Sequence, residues 1–126
     1  MAHNMLTVTP SSGSGEILIN ETSVVFGVDS GTGSLLRVIT GKNVEKNIIV
    51  DEDITAIATL CRYAIILSQE GSGDNLLIMP ARILTVEQSG VNSIVKVLGV
   101  QEKKFLVSDD YDDIATAVND LINPDL

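Results

Sequence analysis

Residues 13–38 read GSGEILINETSVVFGVDSGTGSLLRV, and residues 71–97 read GSGDNLLIMPARILTVEQSGVNSIVKV. A shift of 59 residues lays Ile17-Leu18-Ile19 on Leu76-Leu77-Ile78, and Val24-Val25 on Ile83-Leu84. The same shift lays Ser30-Gly31 on Ser89-Gly90, Ser34 on Ser93, Arg37 on Lys96 and Val38 on Val97. Further on, a shift of 57 lays Val50 on Val107 and DITAIAT (53–59) on DYDDIAT (110–116). The matches keep residue character more than identity. They stay in order along nearly the whole chain, and the shift changes at loops, where insertions are tolerated. A tandem duplication is the expectation.

Each copy reads as a β-meander. A short strand (MLTVT; YAIILS) leads through a Gly/Ser turn into a second (EILIN; NLLIM), which breaks at Glu21 or Pro80. A third strand (SVVFGV; RILTVE) enters another Gly-containing turn, and two more (SLLRVI and NIIV; SIVKVL and KFLV) follow. β-Branched residues dominate these runs, as a pleated surface favours. A helix then closes each copy. Tyr111, Ile114, Ala115, Val118 and Ile122 make one apolar stripe, with Ser108 or Asp109 as N-cap. In the shorter first copy Asp51 caps, and Ile54, Ile57, Ala58 and Cys61 form the stripe.

The expected fold is therefore α+β and mainly β: two β-meander units of four to five short strands, each with a C-terminal helix. The units span residues 5–61 and 62–122, between a flexible N-terminus (1–4) and a C-terminal tail (123–126). One unit alone is barely long enough to bury its apolar surface. Two copies sharing a core across a pseudo-two-fold axis solve that problem.

The 126-residue chain is 44% hydrophobic and carries a net charge of −9. That acidity opposes a phosphate backbone, so nucleic acid is an unlikely partner. No apolar run reaches the roughly 18 residues of a membrane span. The start MAHNMLTV lacks the parts of a secretory signal. With the single Cys61, which cannot form an intrachain disulfide, this points to a cytoplasmic protein.

Catalytic signals are few. His3 is the only histidine, which leaves no serine- or cysteine-protease triad and no zinc pattern. Asp29-Ser30-Gly31 resembles the aspartic-protease turn, but the second copy has Gln88-Ser89-Gly90. A shared-proton dyad would then need Asp29 from each of two chains. The plainer reading is a hairpin turn. The acid clusters at 51–53 and 109–113 lack the calcium-loop pattern and read as helix starts. Arg37 and Lys96, at equivalent strand positions, are the candidate contacts for an anion or a partner. No cofactor or metal is expected.

Residues 64–118, from AIILSQEGSGDNLLIMPARILTVEQSG onward, resemble the short flagellar proteins of the FlbD type and similar small proteins of tailed phages. Met79-Pro80 and Asn20-Glu21 stand where that pattern has Asn-Pro. Val107-Ser108-Asp109 and Val50-Asp51-Glu52 stand where it has Val-x-Glu-Ser. The resemblance implies small non-catalytic β-modules, in some phage relatives ring-forming Sm-like barrels.

The first functional expectation is thus a non-catalytic assembly or protein-interaction module, a phage-encoded structural or accessory protein for example, cytoplasmic or in a virion. The alternatives are an Sm-like ring that binds RNA and, more distantly, a homodimeric aspartic protease using Asp29. Few aromatic residues (Phe26, Tyr63, Phe105, Tyr111) are present to stack bases. Uncovered strand edges, with MLTVT and NIIV as candidates, predict a homo-oligomer, a dimer or small ring.

Overall fold

A computed structural model describes residues 4–13 and 15–122. His3 and the 123–126 tail lie outside the described residues. The chain is mainly β, with two α-helices and several antiparallel sheets. Its first half runs β1 (Met5–Val8), β2 (Ile17–Asn20), a 3-10 turn (Glu21–Ser23), β3 (Val24–Asp29), β4 (Ser34–Gly41), β5 (Val44–Val50) and α1 (Ile54–Leu60). The second half runs β6 (Ile65–Ser68), β7 (Asn75–Ile78), a 3-10 turn (Pro80–Arg82), β8 (Ile83–Ser89), β9 (Asn92–Leu98), β10 (Glu102–Val107) and α2 (Tyr111–Ile122).

Alternation sets the faces. In β4 the side chains of Ser34, Leu36 and Val38 are buried while Leu35, Arg37 and Ile39 are only half-buried. In β9 the positions Ser93, Val95 and Val97 behave in the same way. Such a period-2 pattern fixes the register, since a slip by one residue would turn every apolar side chain outward. Pro80 begins its 3-10 turn, where a missing N–H costs nothing.

Strand pairing also recurs. Leu6 pairs with Ile19 in the first half, and Ile65 with Ile78 in the second. Bulges fall between Val24 and Phe26, and between Ile83 and Thr85. Single bridges, Pro10 to Val50 and Gln69 to Val107, tie β1 to β5 and β6 to β10. The Ser34 hydroxyl donates to the Glu52 carbonyl at 2.7 Å, and that of Ser93 to the Asp109 carbonyl at 2.8 Å.

One seam joins the halves. β3 pairs antiparallel with β7, so the strands β5-β4-β3-β7-β6 form a single five-stranded sheet. Following the pairings and the two bridges gives one continuous ribbon, β2-β1-β5-β4-β3-β7-β6-β10-β9-β8. The chain just after β1 and the C-terminal end of β5, strands that the sequence marks as exposed edges, touch through the bridge of Pro10 to Val50 and the bonds beside it. The open ends are β2 and β8. A two-fold seam would be reciprocal, with β8 on β2 as well as β3 on β7; only the second pairing is present, so the halves join head to tail.

Two apolar clusters fill the interior, and each borrows from the other half. The first gathers Leu6, Val8, Leu36, Ile54 and Ile57 with Leu77 and Met79 from the second half. The second gathers Leu67, Val95, Val107 and Ile114 with Val25 and Phe26 from β3. The ring of Phe26 meets that of Phe105 edge-on, centroids 4.9 Å apart.

The helix caps lie two residues later than the sequence places them in the first half. Asp53, not Asp51, caps α1 by accepting from the Ala56 N–H at 2.7 Å. Asp51 instead accepts from the Ser11 hydroxyl. In the second half the Asp110 carbonyl receives the Ile114 N–H, and the Asp109 side chain accepts from the Ser68 N–H. Both displacements have one cause: the residues between strand and helix are used to hold the neighbouring strand β1 or β6.

Candidate functional site

Several of the chain's carboxylates hold neighbouring segments together, and one of them lies at the seam between β3 and β7. Leu77 faces Gly27 across it and is fully buried. A Cβ at Gly27 would lie 2.8 Å from Leu36, 3.1 Å from Ile54 and 3.3 Å from Leu77. Glycine is thus what lets β7 approach closely enough for Leu77 to reach α1. At the upper end of the seam the Asp29 carboxylate accepts from the Asn75 N–H at 3.0 Å. The one aspartate of the protease-like turn is thereby engaged in joining the halves.

Glu45 is the second clamp. Its Oε1 accepts from Arg37 Nε at 2.6 Å, and its Oε2 accepts from the N–H groups of Val100 and of Gln101. The hairpin of the first half so grips the β9–β10 turn of the second. Partial burial opposes the charge on Glu45, but the bonds from Arg37, Val100 and Gln101 together outweigh it and hold the carboxyl below its usual range. Gly99 lies under this contact, where a Cβ would run into Val25 and the Glu45 carboxylate.

Arg37 and Lys96 are not brought to a common site. Each sits in its own hairpin against a glutamate of the next strand, Arg37 on Glu45 and Lys96 on Glu102 at 3.7 Å. Arg37 also donates to Asn47 at 2.9 Å.

Two further carboxylates, which the sequence marks only as a strand break (Glu21) and as part of a helix-start cluster (Glu52), hold segments together. Glu52 accepts from the Thr9 N–H at 2.9 Å and the Thr9 hydroxyl at 3.0 Å. Burial again opposes its charge, and the Thr9 bonds prevail, lowering its pKa. Its counterpart Asp109 holds Ser68 in the same way, so the pairing of Glu52 with Asp109 at the 57-residue shift was a usable signal. Glu21, only 2% exposed, accepts from the N–H groups of Asn4, Arg62 and Tyr63, tying the first described residue to the link between halves. Pro80 stands at its equivalent position, so nothing in the repeat could flag it.

Cys61 is half-buried, and burial together with the nearby Glu21 charge pushes its thiol up to about 12. Among the described residues no three His, Cys, Asp or Glu side chains group so as to hold a metal ion. Among them too, no helix is long and apolar enough to cross a membrane.

The ends of the ribbon contrast with the seam. Leu18 in β2 is 65% exposed, whereas Leu77 at the matching place in β7 is fully buried. Leu84 in β8 is 45% exposed, whereas Val25 at the matching place in β3 is fully buried. Beside β8 runs an open groove of about 340 Å³, walled by Leu84 and Val86 on one side and Tyr111, Ile114 and Val118 of α2 on the other. The matching space between β3 and α1 is the one that Leu77 occupies. No protein-family model, no curated protein and no solved structure matches the chain.

Proposed function

We propose that this chain is a tandem duplication of one small β-module and that its work is self-assembly through protein contacts, without catalysis. The recurrence of pairings, bulges, bridges and serine-to-carbonyl bonds at constant shifts supports the duplication. The engagement of Asp29 by Asn75 and the raised Cys61 thiol support a non-catalytic role. A structural or accessory part, of the kind small phage-encoded modules play, fits such a protein.

The observation that carries the reading is the state of the two ribbon ends. β2 and β8 offer unpaired N–H and C=O groups beside exposed Leu18 and Leu84. Edges of this kind must be covered, charged or paired to avoid open-ended association. Burying one leucine side chain contributes about 1.5–3 kcal/mol, and two such anchors plus a strand ladder make a credible contact. Light scattering on a sizing column tests the proposal. At tens of micromolar the mass should be a multiple of the 13.4 kDa chain. A single-chain mass across that range would contradict it.

A further inference from the structure

We infer that copies of this chain join head to tail by repeating, between chains, the seam that joins the two halves within one. The inference rests on the self-assembly reading and specifies its surface. The β8 edge of one copy takes the β2 edge of the next, antiparallel. Within the chain, Phe26, Gly27 and Val28 pair with Ile78, Leu77 and Leu76. Moving each by the 59-residue shift sets Thr85 opposite Ile19, Val86 opposite Leu18, and Glu87 opposite Ile17 of the neighbouring copy.

Several independent features agree on this register. Leu18 becomes the side chain at the mouth of the groove between β8 and α2, but Val86 stands where Gly27 stands in the internal seam, so Leu18 has to seat farther out than Leu77 does. Leu84 becomes the counterpart of Val25, which the seam buries. Both leucines are exposed in the single chain, and both lose that exposure in the same contact.

The hairpin clamp has a counterpart as well. Glu102 matches Glu45 and carries its own cation, Lys96. Its carboxylate, 53% exposed, would accept from the N–H groups of Gly41 and Lys42 in the next copy, as Glu45 accepts from Val100 and Gln101. Thr40 stands there in place of Gly99, so this clamp has to seat farther from the strand than the internal one.

A head-to-tail contact leaves the same two edges open at every step. It ends only by closing on itself, otherwise it grows into a fibre. A closed ring in which each chain supplies two modules is the form of this contact that does not grow without limit.

Complementary variants test the junction. Leu18→Asp spoils the β2 end and Leu84→Asp the β8 end, each at a position exposed in the single chain. Each variant alone should fall to the single-chain mass, while Val91→Asp, on the 85% exposed tip outside the junction, keeps the wild-type mass. An equimolar mixture of the two should then form a dimer of twice 13.4 kDa, because one intact β8 meets one intact β2. The milder pair Leu18→Ser and Leu84→Ser repeats the test should an aspartate disturb the fold. A wild-type protein of single-chain mass takes down the self-assembly reading itself. A wild-type oligomer whose variants keep their size, or whose mixture stays at single-chain mass, overturns only the head-to-tail junction. A ladder of wild-type masses growing with concentration overturns ring closure.

Discussion

Leu77 is buried directly opposite Gly27, in the strand pair that joins the two halves of the chain. Its side chain reaches α1 because the glycine leaves no Cβ in the way. Leu77→Ala should therefore lower stability by about 2–5 kcal/mol, the range for a leucine truncated in a closed core. Gly27→Val should also destabilise, since its side chain would meet Leu36 and Ile54. Urea unfolding monitored by circular dichroism measures both. A change in Leu77→Ala below the exposed-site range of about 0.5 kcal/mol would mean the seam is not part of the core.

Acid should loosen the clamps. Glu45 and Glu52 have folded pKa values held below their ordinary 4.5, so they bind fewer protons folded than unfolded. Their contribution is present above the unfolded value and is lost as pH falls through the lower, folded value. Unfolding midpoints should thus drop as pH falls from about 5 towards 3. Glu45→Gln and Glu52→Gln should each flatten that dependence and cost roughly 0.5–1.5 kcal/mol per weakened bond at neutral pH. Variants with the full wild-type acid dependence would show that neither carboxylate is held as described.

Cys61 should be inert. With its thiol pushed up to about 12, almost no thiolate exists at pH 8, and the thiolate is the reactive form. Iodoacetamide should label the native protein many-fold more slowly than the urea-unfolded chain. Equal rates would place the thiol in open water and contradict its packing against the first apolar cluster.

The strands of each half were legible from their turns and apolar spacings, but the expected continuous meander was not what formed: β2 does not pair with β3, nor β7 with β8. The α1 stripe of Ile54, Ile57, Ala58 and Cys61 is likewise the face that packs inward. The seam was not legible. Local pattern places β3 beside β4, but nothing in VVFGVD states that its other edge takes β7 rather than β2. That choice is a long-range packing outcome, decided by Leu77 filling the space over Gly27. The cap at Asp53 was missed because two nearby acids compete for the place and Ser11 claims the earlier one, just as Ser68 claims Asp109 in the second half. Arg37 and Lys96 were read without Glu45 and Glu102, their partners on the next strand.

Single-stranded RNA should bind poorly. The chain carries a net charge of −9, and of its four aromatics Phe26 and Phe105 are packed edge-on against each other. An A- or U-rich oligomer should show no salt-sensitive shift at micromolar protein. A clear shift abolished by added salt would instead favour an Sm-like RNA-binding ring.

Hydrogen exchange at the ends of the ribbon tests the central claim most directly. If copies join through β8 and β2, the outward amides of residues 17–19 and 85–87 are bonded between chains and should exchange slowly at tens of micromolar. Their protection should fall on dilution, or in Leu18→Asp, while that of the internal pair β3 and β7 stays high. Amides of β2 and β8 that exchange as fast as the loops at every concentration, with no change in Leu18→Asp, would contradict assembly through these edges.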